Sequence, residues 1–254
     1  MKRVMVWLLA LNVVVPLVVL VGVVVGNPPE PPSMSKVIPA DDLIKQVDLY
    51  VESFNEPLAD AQAYTDKSRQ VAKDAHTLAA IALVLAMHDQ DHRLKASAPA
   101  LVVAAQQLAK AKDYGTAKQA LTGVQDAVNG KAGAAPAAKW ERVAGLGQMM
   151  KQVTFVNNRL RRNLRRFDER KDDIARDAAV LAAIAQVSTY DTHEVKNPDD
   201  LGKWYQLCGE MRDAAGAVNA EVHAGNKAAA ETALVNLGKS CEDCHMTFRV
   251  RVAP

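Results

Sequence analysis

The chain has 254 residues and a formal net charge of +2 at pH 7, so its overall charge indicates no polyanionic partner such as a nucleic acid. Hydrophobic residues make up 49% of the sequence but aromatic residues only 5%, and much of the hydrophobic content is alanine. This composition favours packed helices over strands, so the sequence predicts an all-α protein.

At the N-terminus, Lys2 and Arg3 precede an apolar segment that covers residues 4–25. The segment is longer than the core of an ordinary signal peptide and close to the roughly 20 residues that span a bilayer. No clean cleavage site follows it, so we favour an uncleaved transmembrane signal-anchor over a removed signal peptide. Either way the rest of the chain is exported, which predicts the periplasmic side of the inner membrane. The proline-rich residues 26–39 predict a short, stiff spacer.

The exported part contains two similar stretches in the same order. Residues 71–82 and 174–185 share eight of twelve positions, and residues 43–47 resemble residues 149–153. This pattern predicts an internal duplication, and we expect two tandem antiparallel four-helix bundles. The bundles cover residues 40–130 and 137–254, with a linker at 131–136. The predicted helices are 41–65, 67–87, 99–112 and 114–129 in the first copy, and 137–166, 170–189, 199–223 and 227–250 in the second. Pro57 is expected to kink or divide the first helix.

Near the C-terminus lies the sequence Cys241-Glu-Asp-Cys244-His245, a CxxCH pattern typical of c-type haem attachment. Two thiols on one helical turn can each form a thioether with a haem vinyl group, and the following histidine can supply the proximal iron ligand. The alternatives are a chance pairing, half of a zinc site or a thioredoxin-like redox pair. Zinc would need further ligands, and a redox CxxC normally opens a helix after a strand. The sequence therefore predicts one covalently attached haem c in the second copy, while the first copy has no cysteine.

The tail CEDCHMTFR, which ends at Arg249, resembles the C-terminal helix of the cytochrome c-prime family and its low-spin relatives. The resemblance covers about residues 137–251 and, more weakly, 40–130. It implies that Arg249 lies beside the haem on its proximal side and that Phe248 packs near the macrocycle; plain helix surface and core are the alternative roles. The membrane anchor and the haemless first copy are not features of a typical member of that family. The resemblance therefore does not decide the oligomeric state, which could be a homodimer or a larger complex, or the identity of the partner.

The same resemblance implies that the sixth coordination position faces the first helix of the second bundle. Heptad-like spacing on that helix points Met150 inward and Met149 about 100° away. Met150 is thus the candidate distal ligand, with a core-filling role as the alternative. Methionine ligation gives an iron suited to electron transfer, whereas an apolar residue leaves the iron open to NO or CO. His193 and His223 are alternative sixth ligands near helix ends and loops.

Three further groups of residues have two interpretations each. Five arginines lie at the end of the predicted helix 137–166: Arg159, Arg161, Arg162, Arg165 and Arg166. They indicate a docking patch that binds an acidic partner or lipid phosphates, or else a solvated helix end. The histidines His76, His88 and His92 could bind a metal, but a solvated helix end is expected. Cys208 is expected to be a buried small hydrophobe.

No nucleophile with its base and no phosphate-binding glycine loop occurs in the sequence, so no enzymatic activity is predicted. The first hypothesis is a membrane-anchored monohaem cytochrome that exchanges single electrons with a redox partner protein on the exported side. The second is a five-coordinate protein that binds NO or CO. The third is a haem-bearing structural subunit of a respiratory complex, whose first bundle should carry a large apolar patch.

Overall fold

The computed structural model describes residues 26–249, and the predicted transmembrane segment lies outside them. The described part is helical and contains no strand, which confirms the all-α prediction. Its helices are α1 (Ala40–Ser53), α2 (Ala61–Met87), α3 (Ala98–Lys110), α4 (Tyr114–Val128), α5 (Leu146–Leu164), α6 (Phe167–Ser188), α7 (Leu201–His223) and α8 (Lys227–Phe248). Short 3-10 helices cover Met34–Lys36 and Pro198–Asp200.

The helix ends follow from local chemistry. Side-chain oxygens of Asp60 and Asp113 accept hydrogen bonds from backbone N–H groups at the starts of α2 and α4, at 2.8 and 2.9 Å. Each bond satisfies a donor that has no partner inside the helix. Beyond the ends of α4 and α7, Gly130 and Gly225 have φ angles of 68° and 72°. Glycine adopts this left-handed conformation without steric cost, which is why both helices stop there.

Three predicted helices differ from the structure by more than three residues at one end, and one of them, 67–87, begins six residues earlier, at Ala61. The expected helix 41–65 is divided by the non-helical residues 54–60, because Pro57 has no N–H to donate and Asp60 caps a new helix. The expected helix 137–166 begins only at Leu146. Before that point the indole of Trp140 stacks on Tyr190, with ring centroids 5.8 Å apart, and this contact holds the preceding segment against the end of α6.

The first half of the described chain (α1–α4) and the second half (α5–α8) pack against each other through equivalent helices. Helix α2 contacts α6, while α1 contacts α6 and α5 contacts α2. Since α1 and α2 correspond to α5 and α6 in the sequence repeat, these contacts are reciprocal, as in an isologous dimer interface. Within the second half, α5, α6, α7 and α8 form a closed ring of contacts. One continuous apolar core extends through both halves.

Buried polar contacts join the same two halves. The Gln152 side-chain amide donates to the Tyr50 hydroxyl at 2.7 Å. The Asn219 amide donates to a carboxylate oxygen of Asp42 at 2.7 Å, and the imidazole of His223 lies 2.7 Å from the same oxygen. Because a buried polar group left without a partner is costly, these contacts specify how α1 packs against α5 and α7.

Among the described helices, α2 alone is long and apolar enough to cross a membrane by length and composition. In its most apolar window 67% is buried inside the protein, and the helix packs against α3, α5 and α6. This is the pattern of a core helix.

Candidate functional site

A cavity of about 540 Å³ opens at the end of the second half where α5 and α7 begin and α6 and α8 end. Its walls come from all four of these helices and from the loop before α7. They are formed by Leu146, Gly147, Met150, Lys151, Val153, Thr154, Ala185, Ser188, Glu194, Trp204, Leu207, Cys208, Met211, Ser240, Cys241, Cys244, His245, Phe248 and Arg249. The six residues that the sequence singles out for the haem site are therefore brought to one cavity.

Helix α8 supplies the CxxCH side chains. The helix is started by Asn226, whose side-chain oxygen accepts from the Ala229 N–H at 3.2 Å. Cys241, Cys244 and His245 lie on its last two turns, at spacings of three and one, so the two thiols share a face. Both cysteines are half-buried and His245 is exposed.

Burial sets the protonation of these groups. It raises the pKa of the Cys241 thiol, and burial followed by the proximity of Cys241 raises the pKa of Cys244 to about 11. Both groups are therefore neutral thiols near pH 7. Partial desolvation of the exposed His245 ring, followed by the positive charge of Arg249, lowers its pKa. A neutral imidazole is the form that binds a metal ion.

Met150 faces this cavity from helix α5. It is half-buried, whereas the neighbouring Met149 is 0% exposed and belongs to the apolar core. The predicted register is thus wrong about which methionine lies on the core stripe, because alternating steps of three and four residues lead from Leu146 to Val153 through either Met149 or Met150. Met150, which the sequence predicts as the distal ligand, is nevertheless the methionine that lines the cavity.

The start of α5, which carries Met150, is fixed by a buried carboxylate. Asp191 is 1% exposed and accepts from the Leu146 N–H at 3.1 Å and from the Arg142 guanidinium at 2.9 Å. His193 lies 2.6 Å from the other oxygen of Asp191 and 3.0 Å from Glu194, which itself lines the cavity. His193 is therefore engaged with these two carboxylates, and His223 with Asp42.

Phe248 and Arg249 end helix α8 at the cavity. Phe248 is 9% exposed and packs edge-on against Trp204, with ring centroids 5.1 Å apart. The Trp204 indole N–H donates to the Ser188 carbonyl at 3.1 Å, which satisfies its buried polar atom. Arg249 is exposed, and its backbone N–H donates to the His245 carbonyl at 3.2 Å. Sequence reasoning missed Trp204, whose position is set only by the packing of α7 on α8.

Cys208 is buried, as predicted, with 6% of its surface exposed. It lines the same cavity as the two α8 cysteines, so three thiols share one enclosure. Burial, followed by the proximity of Cys244, raises its pKa to about 12. A neutral, enclosed thiol of this kind behaves as a small apolar side chain.

The histidines of the first half do not form a metal site. His88 is fully buried and its imidazole bonds to the Ile38 carbonyl at 3.1 Å, so the expectation of a solvated helix end is wrong for this residue. Helix α2 ends at Met87, one residue before it, and His92 folds back to the Leu85 carbonyl at 2.9 Å. His76 accepts from the Gly145 N–H at 3.3 Å. Within residues 26–249 no group of three or more histidine, cysteine or acidic side chains could hold a metal ion.

The five arginines at the end of α5 differ in whether they are paired with an acidic residue. Arg159 is half-buried and already paired, since its guanidinium bonds both oxygens of Asp177, at 3.0 and 2.9 Å from Nε. These bonds raise the pKa of Arg159. Arg166 pairs with Glu169 one turn later, while the other three arginines are exposed. The cluster therefore offers fewer free charges than its sequence indicates.

The residues of the cavity fit a covalently attached haem. Two thiols, a neutral imidazole and a thioether line a single enclosure, and these are the donor types that c-type haem uses. Trp204, Leu207, Phe248 and the buried part of α6 give apolar walls. A volume of about 540 Å³ lies within the roughly 300–1,000 Å³ typical of cofactor pockets.

Comparison of the chain with family models, curated proteins and solved structures finds no match in any of the three. The resemblance to the cytochrome c-prime family thus rests on the residues of the tail.

Proposed function

We propose that this chain is a membrane-anchored monohaem c-type cytochrome that transfers single electrons on the exported side of the membrane. The observation that carries the proposal is the cavity, because both CxxCH thiols, His245 and Met150 line it together. A bound haem c supplies one-electron redox chemistry at its iron.

Each cavity residue then has a role that its surroundings support. Cys241 and Cys244 would attach the haem covalently, and His245 and Met150 would supply the nitrogen and sulfur ligands to its iron. Phe248 and Trp204 keep water from the site, since both are buried and packed against each other. An apolar, water-poor surrounding and a methionine ligand both favour a raised reduction potential. Arg249 is exposed at the mouth and provides a positive charge beside the proximal histidine.

The proposal includes the domain organisation predicted from the sequence. Residues 4–25 anchor the chain, α5–α8 are the haem-binding bundle, and α1–α4 are its haemless copy in tandem. Reciprocal packing of α1 and α2 on α5 and α6 supports this, because it is the arrangement expected when a dimer-forming bundle is duplicated within one chain. We propose that the first half serves as a built-in partner that covers the α5–α6 face.

Attachment is tested by mass spectrometry of the chain expressed with a cytochrome c maturation system. The intact protein should carry the mass of one haem. Cys208→Ala is the matched control, because this third cavity cysteine should be dispensable for attachment. Loss of one thioether is expected in Cys241→Ala and in Cys244→Ala. An intact protein without covalent haem, or attachment that depends on Cys208, would overturn the proposal.

A gas-binding function is the second candidate. Apart from Met150, the wall that α5 gives to the cavity includes the apolar Leu146 and Val153, and a Cβ added to Gly147 would meet no atom within 4 Å. This leaves open space one turn from Met150, where NO or CO could lie if Met150 does not bind the iron. A reduced spectrum that shifts when CO is added favours this function over electron transfer.

The third hypothesis, a structural subunit, has less support. In the first half, the exposed large apolar side chains within the described residues are Leu49 and Val103, at 41% and 39% exposure. Two partly exposed side chains do not make a patch of the size that marks an assembly interface.

A further inference from the structure

Residues 26–39, which the sequence predicts to be a short, stiff spacer, lie along helix α7. We call this segment the strap. At its start, the Tyr205 hydroxyl donates to the carbonyl oxygen of Gly26 at 3.0 Å. Further on, Met34 and Ile38 are buried, at 2% and 0% exposure. The strap is therefore part of the folded body.

Near its C-terminal end, at Val37, the strap approaches α7 more closely than a side chain on α7 would allow. A Cβ added to Gly216 would lie 2.8 Å from both the Cγ1 atom and the carbonyl oxygen of Val37. Since real Cβ contacts are not that short, the strap can lie there only because residue 216 is glycine. The strap is also fixed from its other side, where the Ser35 N–H donates to Asp89 at 2.8 Å and the Ile38 carbonyl bonds His88.

The direction of the strap is defined by these two contacts with α7. Tyr205 directly follows Trp204, which lines the cavity, so Gly26 is held at the cavity end of the helix. Gly216 lies eleven residues further along α7, about 16 Å away at 1.5 Å per residue. The strap thus starts at the cavity end of α7 and runs toward the opposite end of that helix.

This direction has a consequence for a chain anchored by residues 4–25. A free spacer of fourteen residues could extend to about 45–50 Å and let the body turn in any direction. Instead the residue that follows the predicted membrane segment is hydrogen-bonded to α7 at the end of the helix where the cavity lies. The body therefore cannot move far from the bilayer at this end without breaking the strap contacts.

We infer that the strap holds the cavity end of α5–α8 toward the membrane, so that the cavity meets a redox partner which presents its own redox centre at the exported membrane surface. This inference rests on the proposed function, which supplies the anchor and the haem. It adds an orientation: the opposite end of α7, near His223, faces away from the bilayer.

The orientation is tested with spin labels on the full chain in vesicles of phosphatidylethanolamine and phosphatidylglycerol. One label replaces Lys203 at the start of α7, and the matched control label replaces Ala220 on the same helix. Both positions are exposed and they lie about 25 Å apart along the helix. Cys208→Ala serves as the background, so that each label has a single attachment site. A lipid with a nickel-chelating headgroup reports proximity to the surface by relaxing a nearby nitroxide.

Relaxation is taken as the increase caused by the nickel lipid over vesicles without it, because the haem iron itself relaxes a nitroxide near the cavity, and we expect this increase to be several-fold larger at position 203 than at position 220. Tyr205→Phe, which removes the hydroxyl that holds Gly26, should reduce this contrast without unfolding the protein. Equal relaxation at the two positions, or stronger relaxation at 220, would overturn the inference. Two further measurements on the same sample separate the orientation from the proposed function: the absorption spectrum reports covalent haem, and flotation of the vesicles reports membrane anchoring. A sample with haem and anchoring but no contrast overturns the orientation alone, and a chain that does not float overturns both.

Discussion

Gly216→Ala is expected to destabilise the protein because the new methyl group would collide with the strap. Its Cβ would lie 2.8 Å from the Val37 carbonyl oxygen and 3.5 Å from the carbonyl carbon, so backbone as well as side chain must move. Such overpacking costs about 1–3 kcal/mol. Replacing glycine by alanine inside a helix gains about 1 kcal/mol, which offsets part of that cost.

Gly209→Ala is the matched control in the same helix. A Cβ at position 209 would meet only the end of the Arg212 side chain, at 3.7 Å, which is an ordinary contact. This variant should therefore show the helix gain of about 1 kcal/mol without the collision. The free energy of unfolding, measured by urea titration with far-ultraviolet circular dichroism, should differ between the two variants by about 1–3 kcal/mol. Equal stabilisation by both substitutions would refute the argument that the strap lies against α7.

Two more predictions concern the buried polar groups between the halves. Tyr50→Phe leaves the Gln152 amide without its partner and should lower the free energy of unfolding by about 1–3 kcal/mol. The control is Tyr114→Phe, which loses an exposed hydrogen bond to Ala59 and should change the free energy of unfolding by less than about 0.5 kcal/mol. Similar effects of the two substitutions would contradict a stabilising role for the buried Tyr50–Gln152 bond. Burial raises the pKa of Asp74, so at pH values between its unfolded and native pKa the native state binds more protons than the unfolded chain. The contribution of Asp74 to the stability of the wild type therefore falls as the pH rises from about 4 through the raised pKa. The stability of Asp74→Asn relative to wild type should therefore increase with pH over that range in urea titrations, and a constant difference would be evidence against the burial of a charged group there.

Several features of the fold could be predicted from the sequence because they depend on local chemistry. The ends of α4 and α7 lie at Gly130 and Gly225, where glycine takes the left-handed conformation. The thiol spacing on α8 follows from helix geometry, and the burial of Cys208 follows from its apolar neighbours.

Other features depend on contacts between distant segments and could not be predicted in this way. The strap is proline-rich and polar in places, which is typical of a spacer, and its docking is visible only in contacts with distant residues, such as Val37 against Gly216 and Gly26 with Tyr205. His88 resembles a helix-end residue in sequence, but the strap covers it. Met149 and Met150 differ by one residue, and their burial depends on how α5 is rotated against α6 and α8, which a repeat pattern of hydrophobic residues does not fix.

The central claim is that the cavity binds a haem between His245 and Met150. Its most direct test is the absorption spectrum of the full chain, oxidised and dithionite-reduced, with and without CO, beside the variants Met150→Ala and Met149→Ala. We predict a low-spin spectrum that CO leaves unchanged in the wild type and in Met149→Ala, and a high-spin, CO-sensitive spectrum in Met150→Ala alone. A wild-type spectrum that is already high-spin and shifts with CO would contradict Met150 ligation, and the absence of a covalent haem would contradict the claim as a whole.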